Sequence, residues 1–220
     1  MLHKKANECK KEEKMDKTMS TKERIAYEAL SLFSTRGYEA VSMRDIGGAV
    51  GIRESSLYKH YSGKQGILEA IVEMAREKIR QKYDTFHVPD IGEENAIDDF
   101  LQMDEEKLAT MCTNMFLGLM EDEMVVQFWQ LLTIEQYRNE ELQKYLVELF
   151  INRPMQYQEM VFQLLLDRKV LKGESAKMMA LQFFSPFFML RYKLPGEKGL
   201  LVQTLREHTM SFIRSHLTEG

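Results

Sequence analysis

The sequence predicts an all-α fold, on three observations. From Thr21 onward apolar residues recur at the three-and-four spacing of helices. No segment of useful length alternates apolar and polar residues as a half-buried strand would, and no internal repeat appears. The interruptions fall at helix-stop signals, namely Gly37, Gly51, Arg138-Asn139, Pro154, Gly173 and Pro195-Gly196.

Residues 1–19 are polar and lysine-rich, with no apolar face to offset the entropy of ordering, and are expected to form a disordered arm. The first helix is expected over 21–36: Ile25, Ala26, Ala29, Leu30, Leu32 and Phe33 recur at helical spacing, and Arg36-Gly37 supplies a last-turn cation followed by a C-cap residue. Ser42 and Asp45 have capping-box spacing, with Val41 and Ile46 at the positions of a hydrophobic staple. They start a second helix over 43–49, which Gly51 ends in the left-handed conformation. A third helix is expected over 54–61, with Leu57 and Tyr61 turned inward. A fourth runs from 63–64 to about 84 on Ile67, Ile71, Met74, Ala75 and Ile79. After a break at 88–95, helices are expected over 96–119, 122–137, 139–151, 154–168, 175–192 and 197–217.

Net charge is −4, which by itself argues against a nucleic-acid binder. The distribution is lopsided: residues 1–64 hold 13 Lys+Arg against 9 Asp+Glu, leaving the remainder acidic. That pattern suits a small basic head on an acidic body. Two distant cysteines, Cys9 and Cys112, without C-x-x-C or Cys/His spacing, indicate neither a disulfide framework nor a zinc site. No apolar run is long enough to span a bilayer, the longest being "LQFFSPFFML" at 181–190. A cytoplasmic protein without metal, cofactor or membrane contact is expected.

The glycines of "GGAVG", 47–51, could cradle a phosphate or turn a corner between helices. A phosphate loop follows a strand, opens a helix and ends in Gly-Lys-Ser/Thr, and none of these conditions holds. A corner accounts for more residues: Gly47 lets two helices approach, Gly51 turns the chain, and a short second helix follows.

That spacing, together with "STRGYEAVSMRDIGGAVGI", "SSLYKHYSGKQGIL" and a helical remainder, resembles the TetR/AcrR family of transcriptional regulators over residues 21–71. It departs in having Gly47 where the family typically has Ala, and Arg53-Glu54-Ser55 where Ser-Lys-Gly is common. The resemblance implies a three-helix helix-turn-helix DNA-binding domain over 20–65, followed by a larger helical domain over 66–220 for effector binding and dimerisation. It implies phosphate anchoring by Ser42, Tyr58, His60 and Lys64. Arg44, Arg53, Ser55, Ser56 and Lys59 are then the candidates for base edges or flanking phosphates. The expected partners are a palindromic double-stranded operator, a second copy of the chain, and a small hydrophobic or amphipathic effector that releases a repressor from DNA. The ending "LREHTMSFIRSHL", 205–217, is similar to the last helix through which such proteins dimerise.

The body is rich in methionine and aromatics, and Met111, Met115, Trp129 and Phe162 are the expected pocket residues. Phe184, Phe188, Leu205, His208 and Phe212 are those expected at the dimer interface. Two other functions fit the sequence less well. An enzyme would need more than accidental acid pairs such as Asp98-Asp99 or Glu121 with Glu123, and the scattered histidines form no ligand group. A helical interaction protein without DNA binding would leave the corner spacing unused.

Overall fold

The computed structural model describes residues 19–86, 98, 103–192 and 198–218, all helical or connecting chain apart from one isolated antiparallel bridge, Leu171 with Leu217. The lysine-rich arm up to residue 18, the whole of the 88–95 break with neighbouring residues other than 98, and Pro195-Gly196 lie outside these residues. The helices are α1 (Thr21–Arg36), α2 (Met43–Val50), α3 (Glu54–Leu57), α4 (Lys64–Thr85), α5 (Glu105–Met120), α6 (Glu123–Glu135), α7 (Glu140–Val147), α8 (Arg153–Asp167), α9 (Ala176–Leu190) and α10 (Lys198–His216). A π-helical turn, Glu148–Asn152, joins α7 to α8. The chain divides into two units: the described part of Met1–Glu77 with Gln127–Asn139, and Lys78–Val126 with Glu140–Gly220.

In the first unit α1 opens on a reciprocal capping box, Ser20 Oγ accepting from the Glu23 amide at 3.2 Å and the Glu23 carboxylate accepting from the Ser20 amide at 2.8 Å. It ends at Gly37, φ 82°, whose amide donates to the Phe33 carbonyl. The core is built from Ile25, Leu30 and Phe33 of α1, Ile46 of α2, Leu57 of α3, Ile67, Leu68 and Ile71 of α4, and Phe128, Leu131 and Leu132 of α6, all essentially without solvent contact. Those of α1 to α4 other than Leu68 are residues that the spacing predicts, because a helix lying on a core must bury one face.

The third helix differs from expectation. It is one turn, Glu54–Leu57, and residues 58–60 continue as hydrogen-bonded turns, with the His60 amide donating to the Leu57 carbonyl at 2.9 Å. At its start Arg53 occupies the N-cap position and makes no side-chain cap. Leu57 and Tyr61 are both buried, as their four-residue separation predicts.

In the second unit α8 packs along α9 and α10 along α5. The core is aromatic: Phe183 lies 5.6 Å from Phe162, 5.3 Å from Phe187 and 5.1 Å from Phe212, centroid to centroid. The end of α10 is tied to the loop after α8 by the Lys172 amide donating to the His216 carbonyl at 2.7 Å. Arg214 donates to Glu105 and Arg206 to Glu106, joining α10 to α5 at the surface.

Candidate nucleic-acid interface

Ser42 occupies the N-cap of α2, accepting from the Asp45 amide at 3.1 Å and donating its hydroxyl to the Asp45 carboxylate at 2.6 Å. Those hydrogen bonds, first from the Ser42 hydroxyl and then from its amide, hold the Asp45 carboxyl below the ordinary aspartate range. Val41 and Ile46, the staple pair, are buried together beneath. Gly51 then takes φ 77°, ψ 27°, the left-handed corner, and the Ile52 amide donates to the Gly47 carbonyl at 2.9 Å. Gly47 is where the corner closes on itself: a Cβ built there would stand 2.9 Å from the Ile52 carbonyl oxygen and 3.4 Å from the Glu54 nitrogen.

Around this corner the candidate base contacts are disposed outward. Arg44, Arg53, Ser55 and Lys59 are exposed and Ser56 is half-buried. Tyr58, 54% exposed although aromatic, stands beside buried Leu57. The expected phosphate anchors divide. Tyr58 is exposed and His60 half-buried, and neither side chain makes a hydrogen bond with another described residue. Ser42 directs its proton to Asp45, and Lys64 docks its amine on the first unit itself. Its Nζ donates to the Tyr38 carbonyl at 2.9 Å, lies 4.3 Å from the Tyr38 ring centroid, and is 3.8 Å from the Glu39 carboxylate. The inward-turned Tyr61 donates its hydroxyl to the Lys22 carbonyl at 2.9 Å, and burial raises its pKa.

Glu135 was not singled out by sequence. Its side chain, 3% exposed, accepts from the Tyr38 amide at 2.7 Å and lies against Gly37, where a Cβ would meet the carboxylate at 2.7 Å. The end of α1 is thus finished by a carboxylate from α6. The signal was the acid within the apolar "QFWQLLTIE" run, since an acid on a helix face otherwise buried needs a donor opposite.

The second unit holds a cavity of about 260 Å³ lined by α4, α5, the π-helical turn, α8, α9 and α10. Met111, Met115 and Phe162 line it. Trp129 does not: it is buried in the first unit, because α6 passes from one unit to the other between Val126 and Gln127. Of the residues expected at the dimer interface, two are buried within the chain and three are half-buried. Leu205 and Phe212 are buried in the aromatic core, and Phe184, Phe188 and Phe212 line the cavity. His208 is half-buried, its Nε2 lying 2.9 Å from the Phe183 carbonyl. The outward apolar residues of these helices are instead Met178, Leu181 and Met189 of α9 and Leu200 of α10. Helical spacing reveals a stripe, and here the stripe fed the core.

Comparison with known proteins bears on both units. The sequence profile of bacterial regulatory proteins of the tetR family matches residues 25–71. The chain is 40% identical over 52 residues to IcaR of Staphylococcus epidermidis, a negative transcriptional regulator of the biofilm operon icaADBC, the match covering 24% of this chain and 28% of that protein. Over nearly the whole chain the fold is similar to that of a tetR-family transcriptional regulator from Mesorhizobium loti, with TM-score 0.66 and 18% identity, covering 90% of this chain and 97% of the other. It is also similar to a transcriptional regulator from Saccharomonospora viridis in complex with choline, with TM-score 0.60 and 18% identity, covering 90% and 98%.

Proposed function

The chain belongs to the tetR family of bacterial regulatory proteins through its N-terminal domain, and on that premise we propose that it is a transcriptional repressor that binds a palindromic operator as a homodimer and leaves it when a small effector occupies the cavity. The observation that carries this reading is the corner at Gly51, from which a one-turn helix projects Arg53, Ser55, Tyr58 and Lys59 away from a buried Leu57. Such a helix reads base edges in the major groove while neighbouring donors hold phosphates and fix the register.

The engaged side chains refine the division of labour. Tyr58, His60 and Lys59 are the phosphate and flanking contacts, Arg44, Arg53, Ser55 and Ser56 the base readers. Ser42 and Lys64 contribute by fixing the two helix starts that aim them. IcaR, matched in this domain, is a negative regulator, which supports repression over activation.

A one-turn reader spans few base pairs, so two copies on a two-fold axis supply the affinity and the palindromic preference. The exposed apolar residues of α9 and α10 named above are the surface we assign to that contact. Effector binding then acts by favouring a different spacing of the two heads, and it can shift the equilibrium only as far as it prefers that state. α4 is the natural lever, since it starts at Lys64 beside the reader and ends at the cavity wall, where Ile79 and Tyr83 stand.

The test is a gel-shift series with the DNA upstream of the protein's own gene. Binding should prefer a palindrome and weaken steeply with salt, and Lys59→Ala should reduce the salt slope by about one. Binding that ignores salt and symmetry, or none at all, rejects the reading.

A further inference from the structure

The cavity has a chemical bias that its size alone does not reveal. It lies wholly within the second unit, and its walls are apolar: Leu119, Phe116, Phe162, Phe183 and Phe187 are among them. Met103, Met111 and Met115 add unbranched side chains that adapt to the shape of an occupant. No carboxylate stands among the described lining residues, and burial pushes the Cys112 thiol up to about 12, so it too brings no negative charge at neutral pH.

The neutral polar groups come from two helices that meet at the wall. Tyr83 of α4 and Tyr157 of α8 lie edge to face, their ring centroids 6.5 Å apart, and Gln158 follows Tyr157 along the same wall. Neither the Tyr83 hydroxyl nor the Gln158 amide hydrogen-bonds to a described residue. Burial raises the Tyr83 pKa, so the group is a neutral phenol with a proton to donate. A donor in apolar surroundings has given up water and gains from an acceptor brought to it.

Both kinds of ion are disfavoured as occupants. Arg191, the residue that follows α9, is engaged within the wall: its guanidinium carbon lies 5.0 Å from the Phe150 ring centroid and 5.9 Å from that of Phe116. An anion would have to draw the guanidinium from those rings while losing its own hydration among apolar groups. A quaternary ammonium such as choline, bound by the Saccharomonospora viridis regulator, would meet no carboxylate on the described wall and would be repelled by the guanidinium.

We infer that the effector is an uncharged organic molecule whose apolar body lies against the phenylalanines and methionines, and whose polar oxygen accepts hydrogen bonds from the Tyr83 hydroxyl and the Gln158 amide. The inference rests on the proposal that this cavity is the effector site, and it names the class of molecule. The volume, about 260 Å³, falls just below the ~300–1,000 Å³ usual for small-molecule sites and calls for a compact ligand.

The experiment titrates the full-length protein by calorimetry with four probes of comparable chain length that differ in the polar group: methyl hexyl ketone, octanol, octanoate and octyltrimethylammonium. The ketone and the alcohol should each bind at least about ten-fold more tightly than either ion. Tyr83→Phe, which removes the hydroxyl and keeps the ring, should weaken the ketone about three- to ten-fold, the worth of one uncharged hydrogen bond, without altering the far-ultraviolet dichroism of the unliganded protein. Gln158→Leu should weaken it by a similar factor and serves if the Tyr83 variant does not fold. Either ion binding within the ten-fold margin, no binding by any of the four, or ketone affinity unchanged in both variants overturns the inference. Ketone binding that depends on Tyr83 but leaves the operator complex intact in a gel shift upholds the ligand class and rejects effector-driven release.

Discussion

Gly47 and Gly48 are consecutive residues of α2, and the structure predicts opposite outcomes when each becomes alanine. Within a helix, alanine is favoured over glycine by roughly 0.5–1 kcal/mol, because glycine loses more backbone freedom on folding. At Gly48 nothing lies within 4 Å of the new Cβ and the position is exposed, so Gly48→Ala should realise that full increment. At Gly47 the methyl would sit 2.9 Å from the Ile52 carbonyl oxygen and 3.4 Å from the Glu54 nitrogen. Both are backbone atoms of the corner, so relief requires moving residues 52–54 away from α2.

Overpacking of this kind typically costs about 1–3 kcal/mol, which exceeds the propensity gain and leaves Gly47→Ala less stable by about 1–2 kcal/mol. At about 2–4 °C per kcal/mol for a chain of this length, the two variants should melt on either side of the unaltered protein, several degrees apart. Circular dichroism melts of the three proteins side by side decide it. The family resemblance sharpens the case, since alanine is usual at the position of Gly47. A corner built around a methyl would accept one, and this corner has closed where the methyl would be. If Gly47→Ala melts at or above the temperature of Gly48→Ala, the corner is not sterically set and the reasoning fails.

Three further outcomes follow from the same unit. Gly51→Ala places a Cβ in the left-handed conformation and should cost about 1 kcal/mol in urea denaturation, with Gly51→Asn costing less; equal stability of all three would show that the corner does not need φ 77°. Glu135→Ala leaves the buried Tyr38 amide without its acceptor and should cost about 1–3 kcal/mol, whereas Glu135→Gln, which keeps a carbonyl oxygen, should lose less; the reverse order in chemical denaturation would reject that role. Ser42→Ala removes the hydroxyl hydrogen bond, the larger of the two from Ser42 that depress the Asp45 pKa, and leaves the one from its amide. A depressed carboxyl stabilises the fold above the unfolded pKa of ~3.9 and stops doing so as pH falls through the folded value, so the variant's deficit at pH 7 should shrink in acid. A deficit that stays constant from pH 7 to pH 2.5 would assign it to the serine alone.

Much of the first unit was legible because its local signals agree with its tertiary role. Ser42 with Asp45, Val41 with Ile46, and Gly51 each have one physical use at their spacing, and each is found in it. Two features depart from what the sequence predicts. α3 ends after one turn, at Leu57, and the partner of the Tyr38 amide comes from Glu135, 97 residues away, where no pattern in the first helices could find it. The donors also divided by a rule that sequence does not carry. Lys64 is a cation at a helix start in either case, and only the fold reveals a carbonyl and a ring within its reach.

The second unit was legible as helices but not as surfaces, because hydrophobic spacing reports that a face is covered without reporting by what. On α9 the run "LQFFSPFFML" turns Phe183 and Phe187 to the core and the cavity, while Leu181 and Met189 face outward. Both sets have helical spacing, so periodicity alone could not divide intramolecular core from a contact with another copy. The charged residue that closes the run is a better discriminator. An arginine directly after ten residues of such apolarity either reaches solvent along its own stem or is drawn into the interior, and the second case demands aromatic or anionic company. Arg191 is drawn in, between Phe116 and Phe150, and the cation therefore marks the cavity in a sequence where every phenylalanine looked alike.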